Sequence, residues 1–82
     1  ELLFIKLALD DVIRDELSAC VQRYGAEVLD ERADSYTLQL TGTGLEVEDF
    51  IREVSALANI LEVVRSGAAA IANGPQVLKL SN

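Results

Sequence analysis

Histidine is absent from the 82-residue sequence, and cysteine occurs once, at Cys20. Zinc and most transition-metal sites are built from His and Cys side chains, so this sequence lacks the ligands for one. A nucleophilic cysteine usually relies on a histidine base, and a disulfide needs a second thiol. The sequence offers Cys20 neither a histidine nor a second cysteine. We therefore expect Cys20 to be a core residue, and a lone thiol is compatible with a reducing compartment such as the cytoplasm.

Positive charge is also scarce. The sequence has 7 Lys and Arg against 14 Asp and Glu, giving a net charge of −7 at pH 7. The cations are scattered along the chain, whereas surfaces that bind nucleic acid or anionic lipid carry clustered basic residues. No apolar run is long enough to cross a membrane, and no signal-peptide layout is present. The sequence therefore predicts neither nucleic-acid binding nor membrane binding.

Adjacent carboxylates are the remaining candidates for acid–base chemistry, at Asp10-Asp11, Asp15-Glu16 and Asp30-Glu31. The first two pairs lie where a helix is predicted to begin, a position at which the helix dipole stabilises negative charge. The third pair lies in a predicted turn, and none of the pairs has the spacing of an EF-hand. We therefore predict no catalytic residue, no metal site and no cofactor site in this chain.

Hydrophobic periodicity predicts six elements in the order β-α-β-β-α-β. A strand over residues 2–9 leads to a helix that Asp10 and Asp11 can cap and that Gly25 ends in the left-handed conformation. A short edge strand follows over residues 26–32, with Ala26 and Val28 on one face. A clean alternation from Ser35 predicts the next strand, and an amphipathic helix and a strand over residues 60–66 complete the order.

This order predicts an α+β, ferredoxin-like fold: a four-stranded antiparallel sheet, spatial order 4-1-3-2, with both helices on one face. The domain spans residues 1–67, and residues 68–82 form a C-terminal tail that can add a short strand or cover the sheet. Because the sequence starts at Glu1 inside a strand-like run, we expect a fragment of a longer protein. The predicted core consists of Ile5, Leu7, Leu17, Val21, Leu38, Leu40, Phe50, Ile51 and Val54.

Gly42-x-Gly44 lies between a strand and a helix, as a dinucleotide-binding fingerprint requires. The third glycine position is occupied by Val47, and the predicted sheet is antiparallel. Glu46 and Glu48 would also repel a phosphate at this corner. We therefore interpret the two glycines as turn residues.

Three stretches together resemble a known family: residues 25–30 (GAEVLD), 34–42 (DSYTLQLTG) and 60–67 (ILEVVRSG). Their order and spacing resemble the C-terminal domain of the small, regulatory subunit of acetolactate (acetohydroxyacid) synthase, over residues 1–73. Two departures are visible. Leu57-Ala58-Asn59 replaces the family's Pro-Phe-Gly, with Asn59 expected to take the left-handed conformation of the glycine, and Arg65-Ser66-Gly67 replaces Arg-Thr-Gly.

The resemblance implies a non-catalytic domain that activates, or dimerises with, acetolactate synthase in branched-chain amino-acid biosynthesis in the cytoplasm. It implies that the catalytic large subunit is a partner and holds thiamine diphosphate, magnesium and FAD. It also implies a homodimer and an upstream ACT domain that binds valine. Two alternatives stay open: a free-standing ACT-like sensor of an amino acid or another small molecule, and a ferredoxin-like enzyme, such as an isomerase, working through Arg65 and nearby carboxylates.

The sheet face opposite the helices is the candidate interface. Strand alternation predicts that Leu2, Phe4 and Val64 gather there into an apolar patch, bordered by Lys6, Glu62, Thr37 and Gln39. The patch is expected to bind a second copy or the catalytic subunit, with Arg65 pairing to a carboxylate of the partner. The alternative is that the tail covers the patch through Ile71, Val77 or Leu78.

Overall fold

The computed structural model describes residues 1–66 and shows the predicted ferredoxin-like arrangement. The elements are β1 (Leu2–Ala8), α1 (Arg14–Tyr24), β2 (Glu27–Glu31), β3 (Ser35–Thr41), α2 (Gly44–Leu57) and β4 (Asn59–Arg65). The strands form one sheet in the order β2-β3-β1-β4, with every neighbouring pair antiparallel. The α+β class and the strand order 4-1-3-2 are confirmed. The predicted tail, residues 68–82, lies outside the described residues.

The core lies between the helices and one face of the sheet. In β1 the odd-numbered residues Leu3, Ile5 and Leu7 are buried. Their partners on β3 are Leu40, Leu38 and Tyr36, respectively. Both helices contribute to the same cluster, whose buried helical members are Leu17, Cys20, Val21, Val47, Phe50 and Val54. The predicted core is confirmed except at Ile51, which is only partly buried against it, and Cys20 is buried as expected.

The start of α1 differs from the prediction. The helix begins at Arg14, and its N-cap residue is Ile13, whose side chain makes no capping hydrogen bond. Asp10 and Asp11 therefore do not cap the helix but lie in the turn that precedes it. Asp11 has φ 59°, a left-handed conformation that short polar side chains tolerate better than most. At the other end, Gly25 has φ 71° and ends the helix as predicted.

Helix α2 is capped at its start by side chains and ends without a left-handed residue. The Thr43 hydroxyl accepts from the Glu46 N–H, and the Glu46 carboxylate accepts from the Thr43 N–H at 3.0 Å, which forms a capping box. The C-cap residue is Ala58, in an extended conformation at φ −150°. Asn59 is already the first residue of β4, so its predicted left-handed conformation is wrong. The chain passes straight from helix to strand and requires no glycine-like turn there.

Both outer strands contain an irregularity that the sequence did not reveal. In β2, Val28 lies opposite Leu38 and Asp30 opposite Thr37, so Leu29 has no partner in the ladder. All five residues of β2 are exposed, as expected of an edge strand, whereas Ala26, which precedes it, packs against the core. In β4, the register with β1 shifts in the same way and leaves Leu61 without a partner.

Candidate interaction surface on the open face of the sheet

The face of the sheet opposite the helices carries the predicted apolar patch. Phe4 lies on β1, directly opposite Val64 of β4 and Gln39 of β3. Leu2 is two residues earlier on β1, so its side chain leaves the strand on the same face as Phe4. Phe4 is 36% exposed, while Leu2 and Val64 are half-buried. The structure therefore brings Leu2, Phe4 and Val64 together, and we call these three residues the open-face patch.

Polar residues border the open-face patch as predicted. Lys6 lies between Glu62 of β4 and Thr37 of β3, so an ammonium group and a carboxylate are placed side by side at one end of the patch. A shallow depression of about 200 Å³ is lined by Phe4, Lys6, Glu62, Val64, Thr37 and the strand residue Ile5. An apolar centre with a polar rim that carries both charges is typical of surfaces that bind another protein.

Arg65 lies on the other side of the sheet from the open-face patch. It is opposite Leu3, whose side chain is buried beneath the helices. Its guanidinium forms a bidentate pair with the carboxylate of Glu1, in which Nη2 donates to Oε1 at 3.0 Å and Nε donates to Oε2. Glu48 of α2 approaches the same guanidinium, with 3.6 Å between its Oε1 and Nη1. Arg65 is therefore engaged within the chain, and its predicted pairing with a partner's carboxylate stays a prediction.

The ion pair between Arg65 and Glu1 lowers the pKa of the Glu1 carboxyl group. The hydrogen bond from the guanidinium, and secondarily its charge, stabilise the ionised carboxylate of Glu1 and lower its pKa below the usual 4.5, although burial opposes the shift. The Glu1 side chain is only 9% exposed, so this pair is better shielded from water than the surface ion pairs of the helices. It ties the start of β1 to the end of β4 and to α2.

The Gly42-x-Gly44 corner is closed by the protein itself. A Cβ added at Gly42 would lie 3.4 Å from the Glu46 side chain, which folds over the corner to complete the capping box. The hydrogen bonds from Thr43 stabilise the ionised form of Glu46 and lower its pKa. A carboxylate thus lies over this corner and disfavours a phosphate there. Gly42 lies in the bend as predicted, whereas Gly44 is not a turn residue but the first residue of α2.

The sequence did not predict a polar cluster that lies on the helical side of the sheet. The Tyr24 hydroxyl donates to Glu53, and Arg23 Nη2 donates to the same carboxylate at 2.9 Å. The hydrogen bond to Glu53 is the main reason that the pKa of Tyr24 is raised to about 12. Arg23 and Glu53 border an open groove of about 370 Å³ between the helices. Contacts 29 and 30 residues apart leave no local sequence signal.

Within residues 1–66, no group of three or more His, Cys, Asp or Glu side chains is arranged to hold a metal ion. None of the helices in this part of the chain is long and apolar enough to cross a membrane. The predicted carboxylate pairs are dispersed. Asp15 and Glu16 lie in the first turn of α1. Asp30 and Glu31 lie in strand β2 and not in a turn as predicted, and Asp30 forms an ion pair with Arg32 at 2.8 Å.

Comparison with known proteins finds one matching family and several similar proteins of the same kind. The profile of a family described as "Small subunit of acetolactate synthase" matches residues 1–74. The chain is 33% identical over 82 residues to the acetolactate synthase small subunit of Bacillus subtilis, covering 100% of this chain and 47% of that protein. Identity is 31% over 74 residues with the small subunit of Haemophilus influenzae, covering 90% and 45%. With the isozyme 3 small subunit of Escherichia coli it is 27% over 79 residues, covering 96% and 48%. The chain therefore spans about half the length of these relatives.

Proposed function

The chain belongs to the family of acetolactate synthase small subunits, and from this premise we propose that it is a regulatory domain that activates the catalytic large subunit in branched-chain amino-acid biosynthesis. The observation that carries the proposal is the open-face patch, an exposed apolar surface with a polar rim on a sheet whose other face is buried beneath both helices. The domain acts by binding and contributes no catalytic group of its own.

The composition of the patch supports docking on a protein surface. Phe4 is a large aromatic anchor at the centre, and side chains of this kind supply much of the binding energy in protein interfaces. Lys6 and Glu62 at the rim offer one charge of each sign, which orients a partner more than it strengthens the binding. The strands hold these side chains at fixed spacing, so little order has to be gained when the partner binds.

The remaining roles of the enzyme lie outside this chain in our proposal. Thiamine diphosphate, magnesium and FAD belong to the catalytic subunit, and feedback inhibition by valine belongs to an ACT domain elsewhere in the small subunit. The relatives are about twice as long as this chain, which supports a further domain of similar size in the complete subunit. We also propose that the small subunit acts in the cytoplasm as a homodimer.

The test of docking is Phe4→Asp in an acetolactate assay with the catalytic subunit. A charge at the centre of the patch should weaken activation by about tenfold or more in apparent affinity, because it removes an aromatic anchor and introduces a carboxylate that must be desolvated. Leu29→Asp is the matched control, since Leu29 is 46% exposed but lies on β2, away from the patch. Circular dichroism should show that both variants are folded. Unchanged activation by Phe4→Asp would contradict docking through this face.

A further inference from the structure

The open face of the sheet carries charged side chains in a defined arrangement around the open-face patch. Residues that lie opposite one another on neighbouring strands project to the same face, so the pairing registers place side chains in rows across the sheet. Two rows cross the open face: Glu27, Gln39, Phe4 and Val64 in the first, and Asp30, Thr37, Lys6 and Glu62 in the second. The apolar centre therefore has charged residues on both sides.

The insertion of Leu29 into β2 determines which side chain of this strand reaches the open face. Val28 lies opposite Leu38, whose side chain faces the core. In a regular ladder the next residue, Leu29, would lie opposite Thr37 on the open face. Because Leu29 is inserted, Asp30 takes this position instead. The irregularity thus replaces an apolar side chain by a carboxylate on the open face.

Positive charge on the open face is largely matched within the chain. The guanidinium of Arg32 holds the carboxylate of Asp30 at 2.8 Å. Lys6 forms no ion pair with residues 1–66, but Glu62 lies directly opposite it on β4 and offsets its charge. Glu27 is exposed on β2, and its carboxylate has no ion-pair partner among the described residues. The open face therefore carries an excess of negative charge, which is greatest at Glu27.

The rest of the chain increases this negative potential. All five arginines of the described residues are already paired with carboxylates of the chain itself. The whole chain has a net charge of −7. A partner that approaches the open face therefore meets a negative field, which attracts a basic surface and repels an acidic one.

We propose that the open-face patch binds a basic surface of the catalytic subunit, on which an apolar side chain packs against Phe4 and a Lys or Arg side chain pairs with Glu27. The inference rests on the docking proposed above and specifies the chemistry of the partner's surface. Phe4 and Glu27 are separated by two strand spacings, with Gln39 between them. The apolar group and the cation of the partner are therefore about 10 Å apart.

The test measures the rates of association and dissociation between the 82-residue chain and the catalytic subunit at several salt concentrations. Glu27→Lys should slow association by about threefold or more at low salt, and the effect should shrink as salt screens the charges. Lys6→Glu changes the charge in the opposite direction and should speed association. Glu16→Lys is the matched control, because it alters the net charge as Glu27→Lys does but lies on α1, beside the groove between the helices.

Circular dichroism establishes that each variant is folded, and Glu27→Gln or Lys6→Gln replaces a variant that is not. The inference is overturned if Glu27→Lys does not slow association, if Lys6→Glu slows it, or if Glu16→Lys has the same effect as Glu27→Lys. Phe4→Asp removes the apolar anchor and should act mainly on the dissociation rate. If Phe4→Asp abolishes activation while Glu27→Lys behaves as its control, docking stands and only the basic partner surface is refuted. Unchanged activation by Phe4→Asp contradicts both proposals.

Discussion

Replacing Leu38 with alanine tests the register of the whole sheet. Leu38 is fully buried in the cluster between sheet and helices. Its backbone is held from both sides, opposite Ile5 of β1 and Val28 of β2, so β3 has little freedom to move into the space that the missing atoms leave. A Leu→Ala change in such a site costs about 2 to 5 kcal/mol, and the rigid surroundings favour the upper half of that range.

This cost is large relative to the stability of so small a domain. At about 0.05 to 0.15 kcal/mol per residue, the 66 described residues have a free energy of unfolding of roughly 3 to 10 kcal/mol. A loss of 1 kcal/mol lowers the Tm of a domain of this size by about 4 to 8 °C, so Leu38→Ala should lower it by more than about 10 °C. The variant should be partly unfolded at 37 °C if the parent lies at the low end of the range.

Urea and thermal unfolding followed by circular dichroism provide the measurement. Leu29→Ala is the control, because Leu29 has no partner in the β2–β3 ladder and is 46% exposed. Its unfolding free energy should stay within about 0.5 to 1 kcal/mol of the parent value. If Leu38→Ala melted at the temperature of the parent, Leu38 could not face the core, and the register of β3 against β1 would be wrong by one residue.

Two further outcomes are expected. In calorimetry, valine, leucine and isoleucine should bind the 82-residue chain negligibly, because we assign the valine site to another domain. Millimolar or tighter binding of any of the three would instead support the free-standing sensor. The pKa of Glu1 is lowered in the folded state, so the stabilisation from its pair with Arg65 is present above the unfolded pKa near 4.5 and is lost as pH falls through the lower folded value. The parent chain should therefore be more stable than Glu1→Gln above about pH 4.5, and the difference in their unfolding free energies should shrink below that pH. A difference that does not change with pH would show that the ion pair does not stabilise the fold.

The sequence predicted the elements that repeat a simple pattern. Alternation around Leu38 and helical spacing around Phe50 were sufficient to identify the inward faces of β3 and α2, because burial of one face requires that periodicity. The same alternation placed Phe4 and Val64 on the opposite face. Once the strand order was inferred, the position of Phe4 opposite Val64 followed from the pairing of β1 with β4.

Features that depend on a single residue or on distant contacts were not predictable in this way. The unpaired Leu29 and Leu61 each insert one residue into a ladder, and no composition signal marks such an insertion. The delayed start of α1 depends on the left-handed turn at Asp11, although Asp10 and Asp11 looked like caps. The pairing of Arg65 with Glu1 connects residues 64 positions apart and becomes visible only when β1 and β4 lie side by side.

The lack of any buried residue in β2 has a consequence for the dynamics of the domain. With no buried side chain, this strand is held mainly by its backbone hydrogen bonds to β3, while β1 and β3 anchor the core. Regions with few buried apolar contacts open locally at a lower free energy than the molecule as a whole. Amide protons of β2 should accordingly exchange with solvent through opening of the β2–β3 hairpin, well before those of β1. The domain can thus loosen at the β2 edge while the β1–β4 side, which carries the open-face patch, stays folded.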